Sequence, residues 1–106
     1  MGNYINRKQF TYWSSRYHKS VTVPVGFHSD GATGAIDIPK SKSWWVHDVL
    51  CETCVFDDGT PCTNWQASRV LSDILEAEGH PWRSYSWLWS TFLLGGTNIK
   101  ERNGWW

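Results

Sequence analysis

The sequence has no excess of charge of either sign and no long apolar segment. Its 106 residues include ten lysines and arginines against ten aspartates and glutamates, so the formal net charge is zero. Proteins that track phosphates need a clear basic excess, and we therefore expect no nucleic-acid partner. No run approaches the roughly 18 apolar residues of a membrane span, so we expect no membrane-spanning helix.

The sequence lacks the signals of export and of lipidation. The first ten residues, MGNYINRKQF, lack the apolar core of a signal peptide. An N-myristoylation signal has Ser or Thr at the sixth position, where this chain has Asn6. Three cysteines without an export signal indicate reduced thiols. We expect the protein to be made and kept in a cytosol.

Tryptophan, in contrast, is abundant, with nine in the chain. Trp is seldom completely buried and is enriched at interfaces, and nine exceed the needs of one small core. The excess indicates packing against a partner, with a Trp-rich core as the alternative. Interface energy concentrates in Trp, Tyr and Arg. The predicted partner-binding residues are Trp82, Arg83, Trp87, Trp89, Trp105 and Trp106.

The apolar periodicity predicts an α+β fold with a small N-terminal β-hairpin packed on three α-helices. Residues 9–17 and 20–27 alternate as strands do, with a turn near Tyr17–Lys19. Pro24 cannot donate to a strand ladder, so the second strand should lie at an edge or end early. The chain is then one domain over 1–106, with an N-terminal arm at 1–8, the hairpin and a Gly-rich loop at 9–42, three helices at 43–96 and a polar tail at 97–106.

The helix boundaries follow from capping residues. Ser43 is the expected N-cap of the first helix. Thr63 and Gln66 have the spacing of a capping box for the second helix, which Gly79 should end. Pro81 suits the first turn of the third helix. Because the link between the last two helices is so short, they should fold back on each other as an αα-hairpin.

Several short motifs occur in a recognisable order. VPVGF, SDGAT, IPK and WWVHDVL are followed by ASRVLSDIL, EGHPW and LLGG. This order resembles the small phage proteins of domain-of-unknown-function family 1353, over about residues 20–96. The resemblance implies a phage or prophage origin and no particular reaction. Two positions depart from the family pattern: Ser68 replaces an Asp, and Cys51 replaces the aromatic residue of the HDxLY motif.

The cluster around His47 permits a catalytic interpretation. A His-Asp pair beside a Gly-rich loop is similar to that of secreted phospholipases A2, in which it activates water and holds calcium. The similarity implies a small hydrolase, phospholipase A2-like or cell-wall-directed, with His47, Asp48 and Asp30 as its catalytic residues. Those phospholipases, however, are disulfide-rich and exported, and neither property is predicted for this chain.

Two further interpretations use the same residues. His47, Cys51 and Cys54 share a helix face, and Cys62 follows the next turn, so the four could hold tetrahedral zinc. The alternative is that the cysteines are small apolar core residues. In the structural interpretation, Asp30 caps turn amides and accepts a hydrogen bond from His47. That pair would lock the loop to the first helix without any substrate.

We therefore predict a phage-encoded, virion-associated structural or accessory protein, in the tail or another part of the particle. It would dock through a Trp-rich face onto other virion proteins, or pair with itself as a symmetric oligomer. No cofactor is required by this interpretation. A His-Asp hydrolase with calcium, or a zinc-binding accessory protein, is the alternative.

Overall fold

A computed structural model of the chain describes residues 4–29, 41–94 and 97–106. The predicted α+β fold is confirmed, with an antiparallel hairpin followed by helices. The Gly-rich loop and Asp30 lie outside the described residues. The strands are β1 (Tyr4–Ile5), β2 (Phe10–Ser14), β3 (Lys19–Val23) and β4 (His28–Ser29), and the helices are α1 (Ser43–Thr53), α2 (Asn64–Ala77), α3 (Pro81–Leu94) and α4 (Thr97–Asn103).

The hairpin is formed by β2 and β3, which pair antiparallel from Phe10 opposite Val23 to Ser14 opposite Lys19. Side chains alternate between the two faces of a strand, so Val21 and Val23 both enter the core. The strand ends at Val23 because Pro24 follows, as predicted. The alternation predicted up to residue 27 is lost beyond Pro24, and Val25 is exposed.

The outer edge of β3 is covered by the turn between α1 and α2. The Thr22 amide donates to Asp57 Oδ1 at 2.9 Å, and the Asp57 amide donates to the Ser20 carbonyl at 3.0 Å. The Ser20 and Thr22 hydroxyls donate to the same carboxylate. An uncovered edge would leave backbone groups open to pairing with another chain. Asp57 therefore protects the hairpin and joins it to the helices.

Helices α2 and α3 form the predicted αα-hairpin. The Thr63–Gln66 capping box is present, and Gly79 ends α2 with a φ of +90°, which favours glycine. Small side chains line the contact between the helices. Thr91 Oγ1 donates to Ser68 Oγ at 3.0 Å, and Ser84 Oγ donates to the Ser72 carbonyl at 2.9 Å. These short residues let the helix backbones approach closely.

The start of α1 differs from the prediction. Ser43 is the first helical residue rather than the N-cap, which is Lys42 and makes no side-chain cap. The Ser43 amide instead donates to Ser41 Oγ, and the Lys42 amide donates to the carboxylate of Glu78 at 3.2 Å. Glu78 lies just past the end of α2. Ser41 thus accepts the first helical amide, and Glu78, which is distant in sequence, accepts the amide before it. Local capping rules could not find the contact with Glu78.

The polar tail is also not as predicted, because residues 97–103 form a fourth helix. Ile99 of α4 is fully buried in the core. Asn103 Nδ2 donates to the Cys54 and Cys62 carbonyls at 2.7 and 2.8 Å, and Asn98 Nδ2 donates to the Cys51 carbonyl at 3.1 Å. The core that α4 closes comprises Val21, Val23, Val46, Val49, Leu50, Cys54, Phe56, Cys62, Ala67, Val70, Ile74 and Ile99.

We expect Asn103→Ala to lower the free energy of unfolding by about 1–3 kcal/mol, because it removes two hydrogen bonds and leaves the partly buried Cys62 carbonyl without this donor, while the Cys54 carbonyl keeps the Cys62 amide. Chemical denaturation measures the change. Arg102→Ala, in the same helix but exposed, is the matched control and should have little effect. Equal stability of Asn103→Ala and the parent would show that α4 is not held by these bonds.

Candidate functional site

Helix α3 has a second apolar face beside the one it buries. Ser84, Leu88 and Phe92 are buried against the rest of the domain. At about 100° per residue, the spacing of three, four and four residues places another four side chains on one adjoining face. These are Trp82, Tyr85, Trp89 and Leu93, which are 86%, 66%, 48% and 56% exposed.

The C-terminal segment extends this face. The Trp65 amide donates to the Trp105 carbonyl at 2.7 Å, which brings the end of the chain against α2. The Trp106 ring then lies 4.9 Å from Phe92 and 5.8 Å from Trp65, and the Trp65 and Trp89 rings are 5.9 Å apart. We call the exposed set the aromatic surface: Trp82, Tyr85, Trp89, Leu93, Trp105 and Trp106, with Trp65 beneath it.

A lysine lies over one edge of the aromatic surface. Lys100 Nζ is 3.9 Å from the centre of the Trp105 ring and donates to the Leu93 carbonyl at 2.9 Å. Trp105 in turn packs edge-on against Phe92. The cation–π contact and the hydrogen bond hold α4, the end of α3 and the C-terminal segment together.

Four of the six predicted partner-binding residues belong to this surface: Trp82, Trp89, Trp105 and Trp106. Trp87 does not, because it lies about half a helical turn from Trp89, and it is half-buried. Arg83 is exposed next to Trp82. Sequence reasoning missed Tyr85 and Leu93, although their spacing from Trp82 was a usable signal. Trp65 gave no signal, because its role depends on the fold of the C-terminal segment.

His47 is buried on α1, and its ring contacts Cys51, with Nε2 3.5 Å from Sγ. Burial lowers the pKa of His47 to about 4, so the imidazole is neutral at pH 7. A general base works best with a pKa near the operating pH, and a buried imidazole of this kind is better suited to packing. Its Nδ1 is 4.0 Å from Asp48 Oδ1, and Asp30 lies outside the described residues. The catalytic set and the Asp30–His47 lock therefore stay predictions.

The four residues predicted for zinc do not converge on one point. The His47 ring contacts Cys51 Sγ, whereas Cys54 Sγ and Cys62 Sγ lie 3.5 Å from backbone carbonyls. Burial raises the pKa of Cys51 to about 12 and also raises that of Cys62, which favours neutral thiols. Within the described part of the chain, no group of three His, Cys, Asp or Glu side chains is arranged to hold a metal ion.

Two polar residues of α2, Ser68 and Asp73, have hydrogen-bond partners within the fold. Ser68 accepts a hydrogen bond from Thr91, and Asp73 accepts two from Arg16 at 2.8 and 3.0 Å. The Arg16–Asp73 pair lies in an open cleft of about 550 Å³. The other residues lining this cleft are Tyr12, Ser15, Glu76 and Ala77, none of which the sequence analysis proposed for a site.

Comparison with known proteins adds no relative. No protein-family model, curated protein or solved structure matches the chain. The resemblance to family 1353 therefore stays a prediction. None of the helices in the described ranges is long and apolar enough to cross a bilayer.

The low pKa of His47 makes the stability of the fold depend on pH. The pKa of His47 is 6.5 in the unfolded chain and about 4 in the folded chain, so between these pH values the unfolded chain binds a proton and the folded chain does not. The free energy of unfolding therefore falls as pH falls through this range. When the pH is lowered from about 7 to 5, the free energy of unfolding of the parent should fall by about 2 kcal/mol more than that of His47→Leu, as measured by chemical denaturation. The exposed His28 provides the control, since His28→Gln should keep the parent's dependence. Identical pH slopes for the parent and His47→Leu would refute the buried, neutral state.

Proposed function

We propose that the protein is a docking component that joins a larger protein assembly through its aromatic surface. The observation that carries this proposal is the size of that surface. Free aromatic side chains expose on the order of 150–250 Å² each, so the exposed fractions of the five aromatic residues and Leu93 leave roughly 600–900 Å² uncovered. The largest apolar patch on a typical monomer is roughly 300–600 Å². One side of a standard protein–protein interface is about 800 Å².

The chemistry of the surface supports the same function. Its centre consists of Trp and Tyr, which supply much of the binding energy in protein interfaces. Polar residues border it, among them Ser86, Ser90 and Lys100. An apolar aromatic centre with a polar rim is the usual anatomy of a protein-binding site.

The assembly is, in this proposal, a phage particle, of which the protein is a structural or accessory component in the tail or elsewhere. The order of motifs, which resembles that of the phage family, supports the assignment to a phage particle. The aromatic surface supports docking onto other proteins. The protein would be made in the host cytoplasm and carried in the virion.

Quantitative mass spectrometry of purified particles of the encoding phage tests this function. We expect the protein at a fixed copy number. Trp82→Ala combined with Trp106→Ala should lower that number at least roughly tenfold, because each truncation removes a predicted anchor of the interface. The matched control is Trp13→Ala, which removes a Trp that is 58% exposed on the hairpin, away from the aromatic surface.

Thermal denaturation of each variant must first show that it folds. Absence of the protein from particles would contradict a virion role. Unchanged incorporation of the folded double variant would contradict docking through the aromatic surface.

A further inference from the structure

We propose that the partner of the α3 part of the aromatic surface is a second copy of this chain. In the resulting twofold dimer, α3 of one protomer packs antiparallel against α3 of its partner. This inference rests on the proposed docking function and names its first partner. The Trp105 and Trp106 rings pack against Phe92 of α3, beside the exposed residues of this helix, and in this proposal they contact the other proteins of the assembly.

The exposed α3 residues form one continuous stripe along the helix. Trp82, Tyr85, Trp89 and Leu93 are separated by three, four and four residues, an average of about 3.7, which keeps them on one side of the helix. The stripe runs nearly the whole length of α3, which at 1.5 Å per residue is about 21 Å. A partner that covers it must offer an apolar stripe of similar length.

The charge of α3 favours an identical partner. None of the four stripe residues is charged, and the 14 residues of α3 contain no acid and one base, Arg83. The chain has a net charge of zero, so two copies approach without overall repulsion. A partner that covers this stripe needs an uncharged apolar stripe of its own, and a second copy of the chain carries one.

Antiparallel packing also suits the helix ends. It brings Arg83, in the first turn of α3, towards the C-terminal end of the partner's α3, where the helix dipole is negative. The same surface is used on both protomers, as a twofold interface requires.

The area is that of a small dimer interface. At roughly 150–250 Å² per fully exposed aromatic residue, the four stripe residues leave roughly 400–600 Å² uncovered on each protomer. Pairing two stripes would bury roughly 800–1,200 Å² in total, close to the roughly 1,000 Å² expected of a specific interface. An interface at the lower end of the range predicts an association that depends visibly on concentration.

Sedimentation velocity of the full chain, over a series of concentrations from low to high micromolar, tests the proposal. We expect the mass to rise from 12.3 kDa towards twice that value. Trp82→Glu should weaken association at least roughly thirtyfold, since it places a charge in a desolvated anchor position. Tyr85→Glu is the second variant, at another largely exposed stripe position where a change should leave the fold intact. Trp13→Glu is the matched control and should associate like the parent.

Each other outcome overturns the second-copy proposal. A chain that is monomeric at every concentration has another partner, and a dimer that tolerates Trp82→Glu uses another surface. Co-sedimentation of a monomeric protein with vesicles of anionic and neutral phospholipid, lost in Trp82→Glu, would assign the stripe to a lipid surface. If the chain is monomeric but Trp82→Ala with Trp106→Ala still lowers its incorporation into particles, the docking function stands and only the second copy fails.

Discussion

The structure depends on the insertion of helix α4 at the end of α1. Ile99 fills the core there, while Asn98 and Asn103 donate to the Cys51, Cys54 and Cys62 carbonyls at the end of α1 and in the following turn. The last carbonyls of a helix have no partner within it, and burying them unpaired is costly. Two amide side chains and one apolar side chain therefore join α4 to both α1 and the start of α2.

The candidate site is a consequence of that insertion. Because α4 is fixed, the chain after it runs along the start of α2, and Trp106 reaches Phe92 and Trp65. Burial also holds His47 neutral against Cys51, so this candidate for catalysis is packed inside the fold. The Asn98, Asn103 and His47 side chains thus have their contacts within the fold, and the surface proposed to bind a partner is the aromatic one.

Much of the fold was predictable because it obeys local rules. The Thr63 capping box, the stop at Gly79 and the start at Pro81 are set by neighbours in sequence, and the structure has all three. Features that depend on distant partners were not predictable, such as the contact of Glu78 with the start of α1 and the docking of Asn103 in an otherwise polar tail. The aromatic surface was predicted in part: the excess of Trp was visible, but its grouping required the path of the C-terminal segment.

Amide hydrogen exchange at Asn64 and Trp65 tests whether the C-terminal segment is docked on α2 and so builds the aromatic surface. These are the first two amides of α2, and no carbonyl within that helix can accept a hydrogen bond from them. They donate instead to the Gly104 and Trp105 carbonyls at 3.1 and 2.7 Å. The account predicts slow exchange at both amides, lost when residues 104–106 are removed. Exchange of both amides in the intact chain at the rate of an unstructured peptide would contradict it.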